Sequence, residues 1–240
     1  MKLYKLTDFD NKTRNDTIWG ENVTHTANGE GNKLCTGAFI HAYRHPLIAA
    51  LMGPFHVPDY TKLWECEGEV IADDGAKVGC KSLTTVKEIM LPELTTEQRV
   101  KIAILCAKEV YKEEKWSEWA DGWLMGEKSR ELAKVNYTIY NVYADLDAAC
   151  AAAKADYTIY NVYAARDAAR SATRAADAAA AANAPNYASA PTYAAIAVGY
   201  AAEAEAAADA AAAVNSSFRA ACPAKFDLLA VIQRVQATQK

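Results

Sequence analysis

The alternation of apolar and polar positions in the first half of the chain predicts short strands. The strand candidates are KLYKLT (residues 2–7), GAFIHAY (residues 37–43) and LWECEGEVI (residues 63–71). The ADDG sequence after the third candidate is typical of a turn. Its hairpin partner should therefore begin near Ala76 and continue through VGCKSLTTVKEIML as one or two strands, and a further short strand is expected around Val23.

Helical patterns separate and follow these strands. HPLIAALM (residues 45–52) predicts a helix with Pro46 in its first turn, where the missing N–H has no intrahelical partner to lose. TTEQRVKIAILCAKEVY (residues 95–111) predicts a longer helix, since its apolar stripe has the spacing i, i+3, i+4, i+7 at Val100, Ala103, Ile104 and Ala107. WSEWADGWLMG (residues 116–126) predicts a shorter helix that closes the core of this half.

Composition changes near residue 128, which predicts a domain boundary. All five tryptophans precede this point, whereas nine of the thirteen tyrosines follow it within an alanine-rich sequence. Alanine is the strongest helix former, so the second part is predicted to be helical. The predicted fold class is α+β, with a small mixed α/β domain over residues 1–127. An all-α, alanine- and tyrosine-rich region follows over residues 128–240, ending in a short amphipathic helix whose docking side chains would be Phe226, Leu229, Ala230 and Ile232.

The second part contains an exact repeat, YTIYNVYA, at residues 137–144 and 157–164. A helix places tyrosines three residues apart on one side, and an offset of 20 residues turns the second ridge by roughly 200° from the first. This favours units that fold back on each other, although one continuous helix with aromatic patches on two sides remains open. The tyrosines are predicted to form either the core of this region or a binding surface, and the residues concerned are Tyr137, Tyr140, Tyr143, Tyr157, Tyr160 and Tyr163.

Charge and hydropathy narrow the function classes. The net charge of −4 and the pI of about 5.6 argue against a general nucleic-acid binder, because such proteins usually carry a basic surface. Arg166, Arg170 and Arg174 form a short basic stripe near tyrosines, yet the acidic residues of the same region favour a solvated helix face. No run of about 20 strongly apolar residues occurs, and the six cysteines form no CxxC pair. A cytosolic protein with reduced thiols and no membrane span is expected.

Candidate chemistry concentrates on one predicted strand. Glu65, Glu67 and Glu69 alternate, so their carboxylates should share a face, and clustered carboxylates can serve acid–base catalysis. This strand, preceded by the GAFIHAY strand and a helix, is loosely similar to ADP-ribosyltransferase-like folds. The similarity implies Glu65 or Glu67 as the catalytic carboxylate, with His41 or Arg14 near a bound nucleotide. A solvated sheet edge is the alternative reading of the same glutamates.

The histidine pair offers a second chemical candidate. His41 and His45 are four residues apart, which suits a metal ion if both lie on one helix. Pro46 follows directly, however, and the residue before a proline avoids the helical region. Hydrogen-bonding roles are therefore expected for both histidines, and no metal site is predicted. The NGEG sequence at residues 28–31 does not open a helix, so a flexible turn is expected there rather than a phosphate loop.

Longer segments of the first half resemble a known family. The segments are YKLTDFDNKTRNDTIWGENVTHTANGEG, LCTGAFIHAYRHPL, LWECEGEV and KVGCKSLTTVKEIMLPELTTEQR. Together they resemble an N-terminal domain common in phage and prophage proteins that have no assigned activity. Members of that family also carry a repetitive, often alanine-rich tail with an amphipathic end, as KFDLLAVIQRV is here. The resemblance implies expression in the cytoplasm of a bacterial host and an accessory role, and it carries no catalytic residue to this chain.

These observations lead to two functional hypotheses. The first is a non-enzymatic phage accessory protein that works by binding a protein partner or by self-association, for example in host takeover or anti-defence. It requires no cofactor, no membrane and no nucleic acid. The alternative is an ADP-ribosyltransferase-like or other nucleotide-processing domain that uses Glu65, Glu67 and His41, in which case a nucleotide is the ligand.

Overall fold

The computed structural model describes residues 1–56, 62–126, 173, 210–214 and 227–237. Within these residues, five strands form one antiparallel sheet: β1 (Lys2–Thr7), β4 (Thr24–Thr26), β5 (Ile40–Ala42), β6 (Lys62–Asp73) and β7 (Val78–Ile89). Two further short strands, β2 (Lys12–Thr13) and β3 (Thr17–Ile18), pair with each other. The strands predicted from residues 2–7, 37–43 and 63–71 are confirmed as β1, β5 and β6.

The hairpin of β6 and β7 forms the middle of the sheet. Its turn is closed by aspartate side chains: Asp73 Oδ1 accepts the Gly75 N–H at 2.8 Å, and Asp74 Oδ1 accepts the Lys77 N–H at 2.8 Å. Gly75 has a φ of +85°, a left-handed conformation that glycine adopts without steric cost. The local sequence ADDG therefore determines the turn, and the predicted hairpin is confirmed, with the second strand beginning at Val78.

The other strands flank this hairpin. β1 pairs with the first half of β6, from Thr7 opposite Lys62 to Lys2 opposite Glu67. β4 and β5 both pair with β7, at different positions along its length. Side chains from one face of the sheet, together with Trp19 directly after β3, form a buried cluster of Leu3, Trp19, Ala42, Trp64, Cys66, Val78, Cys80 and Leu83. The period-two alternation of the strands places these residues together.

Two helices accompany the sheet. Helix α1 (Pro46–His56) begins at the predicted proline and packs against β1. Helix α4 (Leu228–Ala237), from the C-terminal end of the sequence, packs against α1. Its buried stripe is Leu228, Ile232 and Val235 at the spacing i, i+4, i+7. Ile232 is buried as expected, but Ala230 is exposed and Leu229 only half-buried, so the buried face differs from the predicted docking face. Phe226, the fourth predicted docking residue, lies outside the described residues.

A second cluster is built from helices. Helix α2 (Thr96–Val110) buries the predicted stripe of Val100, Ala103, Ile104 and Ala107, which confirms that prediction. Helix α3 (Glu114–Met125) is capped by Glu113, whose carboxylate accepts the Trp116 N–H at 2.6 Å, and it ends at Gly126 in the left-handed conformation. The tryptophans of α3 pack with α2 and with Ala210 and Ala213 of the helical residues 210–214.

The predicted fold class is wrong in its arrangement. The chain groups into one unit of Met1–Thr95 with Pro223–Lys240 and a second unit of Thr96–Cys222. The described residues are α+β, and helical residues from the C-terminal half complete both units instead of following a finished N-terminal domain. The physical reason is that the apolar stripe of α4 and the tryptophans of α3 must each pack against an apolar surface. In both cases that surface is formed by residues distant in sequence.

Several predictions fall outside the described residues. These are the two tyrosine clusters, the basic stripe at Arg166, Arg170 and Arg174, and the all-α character of most of residues 128–240. The domain boundary at residues 127 and 128 likewise stays a prediction. Among the helices of the described part, none is both long and apolar enough to cross a membrane.

Candidate functional site

An open cleft of about 770 Å³, with both charged and apolar side chains in its lining, lies over the β6–β7 hairpin. It is lined by Glu67 and Glu69 of β6 and by Lys81, Ser82 and Thr84 of β7, together with other residues of β6 and two residues outside the hairpin. The remaining lining residues are Met1, Arg44, Gly68, Val70 and Ile71. Of the three residues predicted for catalysis, only Glu67 lines this cleft. Neither Glu65 nor His41 lines the cleft.

Glu65 forms an ion pair with Lys2. Its Oε2 lies 2.7 Å from the Nζ of Lys2, and the hydrogen bond from that ammonium lowers the pKa of the Glu65 carboxyl. Lys2 sits opposite Glu67 in the ladder of β1 and β6, so it reaches Glu65 diagonally. Glu65 therefore remains ionised and paired near neutral pH, which suits a surface ion pair better than a general acid.

Glu67 and Glu69 are exposed and form no ion pair or side-chain hydrogen bond with any described residue. The nearby cations are engaged elsewhere. Arg44 Nε lies 2.7 Å from Asp73 Oδ2. Lys81 Nζ donates to the Gly29 carbonyl at 3.3 Å and lies 5.1 Å from the centroid of the Phe39 ring. The cleft thus contains two free carboxylates beside cations that already have partners.

The contacts of His41 indicate a structural role. Its Nε2 accepts the Cys35 N–H at 3.0 Å, so that nitrogen is unprotonated. Burial, assisted by the positive charge of Lys5, lowers the pKa of His41 to about 4. His45 acts similarly, because its Nδ1 accepts the Leu47 N–H at 3.2 Å at the start of α1. The predicted hydrogen-bonding roles of both histidines are confirmed. In the described ranges, no group of three or more metal-ligating side chains is assembled.

The most unusual ionisable group is Lys5, which the sequence did not single out. It lies opposite Trp64 in the ladder, is 8% exposed, and donates from Nζ to the His41 carbonyl at 3.0 Å. The ammonium also lies 4.7 Å from the centroid of the Trp19 ring, and no carboxylate of the described residues pairs with it. Burial lowers the pKa of Lys5 to about 8.

The thiols beside Lys5 are inert rather than nucleophilic. Burial raises the pKa of Cys66 to about 12, and burial also raises the pKa of Cys80. Both side chains belong to the apolar cluster under the sheet. A thiol must ionise to act as a nucleophile, so the Lys5 environment does not provide a cysteine for covalent chemistry.

One part of the sheet has no neighbouring strand among the residues that the structure describes. Beyond Lys2, the ladder on the outer side of β6 ends with two bonds at Gly68, whose N–H donates to the Met1 carbonyl at 3.3 Å and whose carbonyl accepts from the Met1 amine at 3.1 Å. No described strand pairs with residues 69–73 on that side. The sequence analysis did not predict this free edge. The signal for it is the difference in strand length: β1 has 6 residues and β6 has 12, so β1 cannot pair with all of β6.

Comparisons of the chain with protein-family models, with curated proteins and with solved structures gave no match. The resemblance to a phage and prophage protein family therefore stays a prediction. The functional reading of the chain depends on the cleft and on the free edge of β6.

Proposed function

We propose that the protein is a non-enzymatic phage accessory protein that acts through protein–protein contacts in the cytoplasm of a bacterial host. The observation that carries this proposal is the free edge of β6 at residues 69–73. An unpaired strand edge presents backbone N–H and C=O groups, which another chain can satisfy by adding a strand. The family resemblance of the first half supports the phage origin and the accessory role.

The state of the predicted catalytic residues also favours binding over catalysis. Glu65 is held by Lys2, and His41 is neutral and bonded to the Cys35 N–H, away from the cleft. A general acid–base pair needs two groups within reach of the same reacting atoms. Glu67 has no such companion among the described residues, so a catalytic set is not assembled.

We expect the purified protein to form a complex larger than its 26.0 kDa monomer, either with itself or with a protein from host lysate. Light scattering coupled to size-exclusion chromatography measures self-association. Pull-down followed by reconstitution with the purified candidate measures binding to a partner. A strict monomer that captures no protein able to rebind after purification would overturn the proposal.

The tyrosine clusters give this experiment a second arm. Tyr140→Ala combined with Tyr160→Ala removes one ring from each cluster, and Tyr140→Phe with Tyr160→Phe is the matched control that keeps the rings. If the alanine pair lowers the unfolding midpoint by several degrees, the tyrosines are core residues and the contact surface lies elsewhere. If it leaves the midpoint unchanged and abolishes the complex, the tyrosines are the contact surface.

A nucleotide-processing activity is the second candidate, because the exposed Glu67 carboxylate lines the same cleft as Arg44. Under the first proposal, incubation with NAD and host lysate releases no more nicotinamide than buffer, and Glu67→Gln behaves like the wild type. Nicotinamide release that Glu67→Gln abolishes and Glu65→Gln preserves would instead establish the ADP-ribosyltransferase-like reading.

A further inference from the structure

The free edge of β6 has a defined row of side chains. Residues 67–73 alternate between exposed and half-buried, so Glu69, Ile71 and Asp73 project to the solvent side of the sheet. Ile71 is 52% exposed, which is high for a large apolar side chain on a strand. Glu69 and Ile71 also line the cleft, so the edge and the cleft form one continuous surface.

We propose that this edge receives an extended segment of a partner protein that carries a basic side chain opposite Glu69 and an apolar side chain opposite Ile71. This rests on the proposed function, and it specifies where the partner binds and what chemistry it presents. Main-chain hydrogen bonds to residues 69–73 supply the attachment, and the two side-chain pairs select the sequence.

The charges along the edge favour a basic partner over a second copy of this chain. In an antiparallel pair of two such edges centred on Ile71, Glu69 of each copy lies opposite Asp73 of the other. Like charges directly opposite each other destabilise a strand pair, and natural proteins use charged side chains on edge strands to prevent self-pairing. Asp73 already holds Arg44, so Glu69 is the carboxylate left to pair with an incoming cation.

The apolar part of the surface selects the next position of the partner. A side chain two residues from the basic one lies on the same face, directly opposite Ile71. Contact with an aliphatic side chain there removes the exposed apolar surface of Ile71 from water. The half-buried Val70, whose side chain alternates with that of Ile71 along the strand, packs against the core of the sheet and so anchors this part of β6.

Capped peptides of six residues test the proposal on the full-length chain. The probe alternates lysine, valine and lysine on one face with threonine on the other, and the control replaces both lysines with glutamate. We expect the lysine peptide to bind about tenfold more tightly at low salt, with amide resonance shifts centred on residues 69–73. Methylating alternate backbone nitrogens of the peptide should abolish binding in one of the two methylation registers, because only one set of N–H groups faces β6.

Charge reversal supplies the decisive variant. Glu69→Lys should reverse the preference, so that the glutamate peptide binds more tightly than the lysine peptide. Glu88→Lys makes the same change at an exposed position of β7 away from the free edge, and it should leave the preference unaltered. Equal binding of both peptides to the wild type, or equal effects of the two variants, would overturn the proposed partner chemistry.

The two proposals fail in distinguishable ways. If a reconstituted partner binds the wild type and the Glu69→Lys variant equally well, the edge is not its site, while the proposed function stands. If no partner and no self-association is found but the lysine peptide binds as described, the proposed function is overturned, while the edge stands as a peptide-binding site.

Discussion

Replacing Trp116 with alanine is expected to lower the free energy of unfolding by about 3–5 kcal/mol, the usual cost of truncating a buried tryptophan in a core. The Trp116 side chain is 1% exposed. Its ring lies edge-on to Tyr111 with 5.5 Å between centroids, and 6.1 Å from the centroid of Trp119. Its Nε1 donates to the Thr173 hydroxyl at 3.2 Å, so the residue joins packing to a buried hydrogen bond.

The neighbours of Trp116 explain why the cost should lie at the upper end of that range. The cluster around it contains Ala210, Ala213 and the alanines of α2, which are too small to move into the space that the indole leaves. A cavity that its surroundings cannot fill is costly, because the lining atoms lose their contacts. The Thr173 hydroxyl would also lose the indole N–H as a donor.

Thermal and urea unfolding followed by far-ultraviolet circular dichroism measures this effect. The midpoint should fall by roughly 10 °C in Trp116→Ala. Trp116→Phe keeps a ring and removes the N–H, so an intermediate loss is expected. Glu118→Ala, at an exposed position of the same helix, should change the free energy by less than about 0.5 kcal/mol. A loss below about 1 kcal/mol in Trp116→Ala would contradict the packing of α3 described above.

The sequence predicted the local elements because their signals are local. The alternation in residues 63–71, the ADDG turn and Pro46 each act within a few residues, and β6, the hairpin and α1 occur where they indicate. The arrangement of elements depends on partners that are distant in sequence. Nothing in the pattern of α3 shows that its tryptophans pack with residues near Ala210, rather than closing the core of the first half.

The same distinction applies to the candidate site. Period two anticipates that Glu67 and Glu69 line one cleft, but Glu65 does not join them. The register of β1 against β6 decides that Lys2 pairs with Glu65 and that no described cation pairs with Glu67. The alternation of residues 2–7 likewise places Lys5 on the face of Leu3, yet it does not reveal that this face is buried. Lysine side chains are almost never fully buried, so the residue type alone predicts that Lys5 is exposed to solvent.

The burial of Lys5 leads to the second large expected effect. Lys5→Met should raise the free energy of unfolding at pH 7 by about 1–3 kcal/mol, because it removes a charge that burial disfavours and fills a similar volume. The pKa of Lys5 is about 8 in the folded protein and 10.5 in the absence of burial. The gain is limited because the His41 carbonyl loses its donor, and an unpaired buried carbonyl costs free energy.

The pH dependence distinguishes this explanation from simple repacking. Between pH 8 and pH 10.5 the unfolded chain keeps the Lys5 proton while the folded chain loses it, so rising pH favours the folded wild type. Burial of the Lys5 ammonium therefore costs no stability above the unfolded pKa of 10.5, and the cost is complete once the pH has fallen through the folded pKa of about 8. The advantage of Lys5→Met should therefore shrink by about 1.4 kcal/mol between pH 7 and pH 9.

The comparison must be made between variants, since the buried thiols act in the opposite direction. Burial raises the pKa of Cys66 and of Cys106, so their contribution to stability is lost as the pH rises through the thiol range of the unfolded chain. Both proteins contain these thiols, and most of their effect cancels in the difference. Lys87→Met, at an exposed position of β7, is the matched control and should show neither the gain nor the pH dependence. A destabilised Lys5→Met variant whose difference from the wild type is constant from pH 7 to pH 9 would mean that the ammonium is solvated, and that β1 does not place it beneath Trp19.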